Sequence, residues 1–301
     1  MISPASVDDV PRAAALLAAT YDDRLITVAG IRYGFESVLP EDRRQYWRAE
    51  LDGELVGWAV GGLDAWASSS TASFVAVTVD AAQRRRGLGS ALWDVASAHL
   101  DRIGARRVVA FSRADAGTKA FVAGRGFTVA ATETASAVDP RTIAPPTTSP
   151  EGIEIVPMSR FVDDPEPLFV ADHESALDEP GPSDLSGMTY ETWRRLIWDV
   201  PDCDLELSAA ALAEGVVVGT SFLYSDRETG RGGNSGTGVI PAFRGRGIGL
   251  AMKQRSLSWA AAAGITRVIT QNDATNAPML AINARLGYER FADGHAWVLE
   301  R

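Results

Sequence analysis

A stretch of thirteen residues, "PAFRGRGIGLAMK" (241–253), places two arginines and three glycines within the seven positions from Arg244 to Leu250, then runs into a helical pattern. Alternating glycines let a backbone approach a ligand closely and turn its N–H groups toward it. A helix that starts there adds unpaired donors and a partial positive charge. With arginines alongside, the combination suits an anion, most naturally phosphate or pyrophosphate. Spacing excludes two better-known phosphate loops. A Walker loop needs GxxxxGK followed by Ser or Thr, and a dinucleotide fingerprint needs GxGxxG, whereas this loop reads RxxGxG through Arg244, Gly247 and Gly249.

The loop occurs twice. "QRRRGLGSALWDVASAHLDRIGARRVVAF" from Gln83 aligns with "FRGRGIGLAMKQRSLSWAAAAGITRVITQ" from Phe243 at a constant offset of 160 residues, which becomes 161 at Gly126 and Gly287. The chain is therefore a duplication. A Pro-, Thr- and Ser-rich stretch, "DPRTIAPPTTSPEG", separates the copies and reads as a linker. We place the units at 1–140 and 151–301 with the linker at 141–150, each unit large enough to fold around its own core.

The elements that must hold the loop follow one order in both copies: strand, loop, helix, strand, helix, strand. "ASFVAVTVD" (72–80) and "SGTGVI" (235–240) are β-prone. The helix after the second loop carries Ile248, Met252, Trp259 and Ala263 near one face. Gly104 and Gly264 end the two helices, where glycine takes a left-handed cap. "RRVVAFS" and "TRVITQN" read as buried strands, and "GTKAFVAGR" and "APMLAINARL" as short helices closing on a glycine and an aromatic. Upstream, hairpins turn at Asp52-Gly53 and Glu214-Gly215. Each copy is mixed α/β.

Composition bounds the function. With 46% hydrophobic and 23% charged residues, the 301-residue chain can bury two cores. No apolar run spans a bilayer, and the opening segment carries acids where a signal peptide carries bases, so no membrane partner and a cytoplasmic location are expected. Cys203 is the single cysteine and the three histidines (His99, His173, His295) are scattered, which argues against disulfides and a metal site. A net charge of −10 disfavours nucleic acid. Residues 151–230 alone carry −14, from 18 acids against 4 bases.

The strand, RxxGxG loop, helix, strand and helix closing on Gly-aromatic resemble the GNAT superfamily of acyl-CoA-dependent N-acyltransferases. Two copies in one chain resemble the tandem GNAT proteins that include mycothiol synthases. The resemblance implies an α/β (α+β) fold class: two tandem domains, each a mixed, mostly antiparallel central sheet flanked by helices, with two central strands splayed around the pantetheine arm. It implies acetyl-CoA or coenzyme A as co-substrate and no metal. It places the pyrophosphate on Arg244, Gly245, Arg246, Gly247, Ile248, Gly249 and Leu250, and in the first copy on Arg84, Arg85, Arg86, Gly87, Leu88, Gly89 and Ser90. It adds Val239, Ile240, Asn272 and Asn276 to the cofactor-binding residues, with a backbone N–H near Val239 as oxyanion donor and Asn276 at the coenzyme arm. The second copy is the fuller match, since Pro241 and Asn276 have no counterpart in the first, and we expect the chemistry there.

One position departs from the family. Many members carry a Tyr four residues before the closing glycine as proton donor; Asn283 and Val122 stand there. Valine donates nothing and asparagine only hydrogen-bonds, so Asn283 is either an orienting or thiolate-stabilising donor or a structural amide, and a mycothiol-synthase identity is disfavoured. Base candidates are Asp273, His173 within "DHE" (172–174), Asp226 and Glu228. The expected activity is N-acetyl transfer to a primary amine of a small molecule, a cationic one if the acidic stretch forms a vestibule. The alternatives are a mycothiol-synthase-like acetyltransferase and a non-catalytic acyl-CoA-binding or sensing protein. The chain is expected to act as a monomer or homodimer.

Overall fold

The computed structural model describes residues 1–146, 148–178 and 185–301. Thr147 of the expected linker, and Glu179 and Asp184 of the acidic stretch, lie outside the described residues. The first copy runs β1 (Ile2–Pro4), α1 (Val10–Thr20), α2 (Val28–Glu36), β2 (Gln45–Leu51), β3 (Glu54–Leu63), β4 (Ala72–Val79), α3 (Leu88–Arg102), β5 (Arg107–Arg113), α4 (Ala116–Ala123) and β6 (Thr128–Val138). The second runs β7 (Ile153–Pro157), α5 (Glu166–Ala176), α6 (Tyr190–Trp193), β8 (Ala209–Ala213), β9 (Val216–Asp226), β10 (Arg231–Val239), α7 (Ile248–Ala262), β11 (Arg267–Asp273), α8 (Ala277–Arg285) and β12 (Glu289–Glu300).

Local chemistry sets most of these boundaries. Both hairpin turns have two consecutive residues at positive φ, Asp52 at 51° with Gly53 at 84° and Glu214 at 50° with Gly215 at 83°. That is the type I′ geometry whose twist matches antiparallel strands. Asp115 and Asn276 cap α4 and α8, their side-chain oxygens accepting the amides of Thr118 and Met279. Gly104 and Gly264, at φ 77° and 87°, follow α3 and α7.

The twelve strands of the described residues form one sheet, in the order β1-β2-β3-β4-β5-β12-β6-β11-β10-β9-β8-β7. The strand that ends each copy is hydrogen-bonded into the other copy's half. β12 pairs antiparallel with β5, from Gly294↔Arg113 to Glu300↔Arg107. β6 pairs with β11, from Val268↔Val138 to Asp273↔Glu133, and β6 and β12 pair with each other at the centre. Each exchanged strand also completes the other core. Trp297 of β12 is buried among Leu92, Leu100, Val108 and Phe127, while Val138 of β6 is buried among Leu257, Ile265, Val268 and Leu286.

Helices cover both faces. Successive strand residues point to opposite sides, and in β8 Ala210 and Leu212 meet α5 and α6, whereas Ala209 and Ala211 meet α7. In β3, where a bulge opposite Ala49 and Glu50 breaks the alternation, Leu55 and Trp58 pack with α1, and Val56 and Ala59 pack with α3.

On the α2 and α6 side the copies dock through polar contacts. Arg195, in the π-turn Arg194–Trp198, holds both oxygens of Asp42 at 2.6 and 3.0 Å and also donates to Ser37 O. Tyr33 donates its hydroxyl to Arg195 O at 3.0 Å. The Thr27 hydroxyl bonds Asp202, whose carboxyl burial pushes upward.

Candidate active site

Each cleft begins where two parallel strands part. β4 and β5 pair only at Ala72↔Arg107, Ser73↔Val108 and Phe74↔Val109, and both strands continue unpaired with each other beyond that point. β10 and β11 pair from Arg231↔Arg267 to Asn234↔Thr270 and then part, with a bulge between Ser235 and Thr237.

The RxxGxG loops close the open ends in matching ways. Arg84 Nε donates to Val79 O at 3.2 Å, and Arg244 Nε donates to Val239 O at 2.9 Å. The loop backbone is left-handed at equivalent positions, Arg85 (φ 65°) with Gly87 (84°) and Gly245 (76°) with Gly247 (78°). A Cβ built on Gly87, Gly245 or Gly247 meets nothing within 4 Å. These glycines are therefore required by backbone angle, and the space above them is open. Arg85 takes the same angle without being glycine, at a cost of roughly 1 kcal/mol. The first intrahelical bonds are Ala91 N–H to Gly87 O and Ala251 N–H to Gly247 O, both 3.0 Å. The amides of Leu88, Gly89 and Ser90, and of Ile248, Gly249 and Leu250, precede them with no helical acceptor. A pyrophosphate fits such a set of donors.

The first cleft opens into a cavity of about 840 Å³. It is bounded by the parted strand ends, by Arg84, Gly87 and Ser90 of the loop, and by Trp93, Phe121 and the exchanged Trp297. Tyr21 also lines it, its hydroxyl 3.0 Å from that of Thr78. Tyr21 was not among the sequence candidates, because the loop after α1 carries no motif.

The second cleft is furnished differently. Arg244, whose charge the sequence assigns to the cradle, is a strut: beyond Val239 O it pairs with both oxygens of Asp178 and donates to Ser175 O at 3.3 Å. Ser175 lies so close to Gly238 that a Cβ there would sit 1.9 Å from its Oγ. The end of α5 thus rests on the end of β10.

Two sequence candidates come together. Asn283, 3% exposed, donates from Nδ2 to Asn272 Oδ1 at 2.7 Å and accepts at Oδ1 from Lys253 Nζ at 2.7 Å. Lys253 is 2% exposed, with its Nζ 5.0 Å from the Tyr288 ring centre. Burial without a carboxylate partner among the described residues pushes it down to about 7. Lys253, like Tyr21, was not among the sequence candidates. A signal was present, since the internal alignment sets this lysine opposite Trp93.

The remaining candidates are spread out. Asn276 uses Oδ1 as the α8 cap. Asp273 accepts from the amide and hydroxyl of Thr275. It shares a strand face with Gln271, which bonds Asp23 of the first copy, so it points away from Asn272. His173 sits on α5, across the sheet from Asn283, its ring edge-on to Phe169 and its Nδ1 buried without a partner among the described residues. Beside it Asp172 accepts from Trp193 Nε1 and Thr220 Oγ1, both at 2.9 Å, and burial raises its carboxyl. Within the acidic stretch, Asp204 pairs with Arg227, Asp199 with Arg194 and Glu154 with Arg160. Among the described residues no cluster of three His, Cys, Asp or Glu is placed to hold a metal, and no helix is long and apolar enough to cross a membrane.

Comparison with known proteins adds the following. The model of the acetyltransferase (GNAT) family matches residues 14–127 and 170–288. The fold is similar to that of a GCN5-related N-acetyltransferase from Sphaerobacter thermophilus (22% identity, TM-score 0.72, covering 100% of this chain and 95% of that one). It is equally similar to a tandem GNAT protein from the clavulanic acid biosynthesis pathway (20% identity, TM-score 0.73, 100% and 98%). A putative acetyltransferase from Pyrococcus horikoshii aligns over 100% of this chain and 89% of its own at 14% identity and TM-score 0.62. No curated protein matches the chain.

Proposed function

We propose that this chain, which belongs to the GNAT acetyltransferase family, transfers an acetyl group from acetyl-CoA to a primary amine of a small, cationic molecule, with the transfer in the second cleft. A bound thioester supplies an activated acyl group; transfer forms an amide C–N bond, breaks the C–S bond and leaves the amine proton on the thiol. The residues of the chain bind and orient. The loop amides from Gly245 to Leu250 would hold the pyrophosphate, and those from Arg85 to Ser90 would hold a second coenzyme in the first cleft. A backbone N–H near Val239 would stabilise the oxyanion.

The observation that carries this reading is the repetition of one cradle, with matching left-handed angles and the same arginine-to-strand bond, below two pairs of parted strands. The second cleft is preferred for chemistry because the Lys253–Asn283–Asn272 chain replaces Trp93, Val122 and Ser112 of the first. The cationic acceptor rests on the charge of −14 across residues 151–230.

A panel of amines incubated with acetyl-CoA, followed by release of free thiol, tests the reading. Release should be fastest with polyamine-like or aminoglycoside-like acceptors. Preference for anionic amines would remove the cationic acceptor, and coenzyme binding without release across the panel would favour a sensor. A second reading, turnover in the first cleft, is favoured by the cavity there and the Tyr21 hydroxyl beside Thr78. Gly87→Glu would then stop release, and Gly247→Glu would not.

A further inference from the structure

Lys253 is an expensive residue to bury. Nothing in the binding role of the α7 N-terminus requires it, and its Nζ meets one amide oxygen, the Met279 sulfur at 4.0 Å and an aromatic face. A methionine or leucine would fill the same space without the desolvation cost. The internal repeat shows where it lies. Lys253, Asn272, Asn283 and Tyr288 correspond to Trp93, Ser112, Val122 and Phe127, and all four of those line the cavity of the first cleft. The same floor is mostly apolar in one cleft, with Ser112 its one hydroxyl among these four, and a hydrogen-bonded chain in the other.

The chain has a direction. Lys253 Nζ donates to Asn283 Oδ1, so Asn283 turns its Nδ2 to Asn272 and donates to that residue's Oδ1. The free end is Asn272 Nδ2, on a half-buried side chain at the parting strand, with no hydrogen bond to the described residues. We propose that Lys253 is a positioning residue, whose hydrogen bond to Asn283 Oδ1 fixes the Asn283–Asn272 chain so that Asn272 Nδ2 donates into the second cleft, toward the sulfur that leaves on acyl transfer. This rests on the reading that the second cleft performs the transfer. Without the lysine both amides can turn over, and Asn272 then offers its oxygen to developing negative charge.

Lys253→Met, Asn283→Leu and the double variant Lys253→Met/Asn283→Leu test it. We expect Lys253→Met to have a Tm at or above that of the parent chain and a coenzyme Kd within about threefold, with kcat lower by about 10- to 100-fold. The double variant should be no slower than the slower single, because both changes break one chain. Unchanged kcat in Lys253→Met, or loss matched by a fall in Tm, overturns the proposal. If the parent chain releases no thiol with any amine, the functional reading has failed, and side-chain amide NMR decides the proposal separately. A shift of the Asn272 NH2 signals on adding coenzyme A that disappears in Lys253→Met supports it; the same shift in both overturns it.

Discussion

Gly247→Glu will abolish coenzyme A binding at the second cradle while leaving the first intact. The glycine stands at φ 78° with open space above it, so the change acts in two separable ways. A side chain at that angle costs roughly 1–2 kcal/mol of stability, which a domain-sized chain tolerates. The carboxylate would stand where the pyrophosphate must. Two like charges about 4 Å apart near a protein surface repel by about 4 kcal/mol, or about a thousandfold in Kd. Gly247→Ala carries the angle cost without the charge, and should lose stability but less than about tenfold in affinity. Titration calorimetry on both variants and on Gly87→Glu resolves the cradles one at a time. Equal affinity for coenzyme A in Gly247→Glu and the parent would remove the loop from the binding site.

Arg195→Ala is expected to be the most destabilising single change outside the cores. Its guanidinium holds both oxygens of Asp42, which is 3% exposed, and it also binds Ser37 O across the junction of the two copies. Removing it leaves a buried carboxylate with the amide of Leu39 as its remaining donor among the described residues. Breaking one side of a buried ion pair costs about 3–5 kcal/mol, a large share of the roughly 5–15 kcal/mol that holds a protein folded. Urea unfolding should show the loss, and Arg195→Met combined with Asp42→Asn should recover most of it, since no unpaired charge remains. A loss below about 1 kcal/mol would mean the junction contributes little.

What the sequence made legible was local or repeated. Asp52-Gly53 and Glu214-Gly215 announce type I′ turns because few residue pairs accept two left-handed angles in succession. Gly104 and Gly264 mark helix ends for the same reason. The RxxGxG loop was readable because its shape is set by left-handed backbone angles, which glycine spacing encodes. Strand partners are another matter. β6 and β12 each read as the closing strand of their own copy, and nothing in their alternating patterns says that each is hydrogen-bonded to the other copy's half of the sheet. Pairing between distant strands depends on which edge is free, a property of the assembled sheet.

Side-chain roles were partly legible. Asn272 and Asn283 were named separately, and their bond could not be seen because they are eleven residues apart on different elements. Lys253 was not singled out in the sequence, and its burial is what sets it apart. Arg244 was expected to present its charge to an anion. Its guanidinium is held instead by Val239 O and Asp178, a partner 66 residues away.

The most direct test of the paired cradles is amide hydrogen exchange with and without coenzyme A. The amides of residues 85–90 and 245–250 lie ahead of the first helical bonds and should exchange fast in the free chain. On binding, both sets should slow by at least about tenfold, while the hairpin turns at residues 52–53 and 214–215 stay unchanged. Binding of coenzyme A with no protection in either loop would contradict the account.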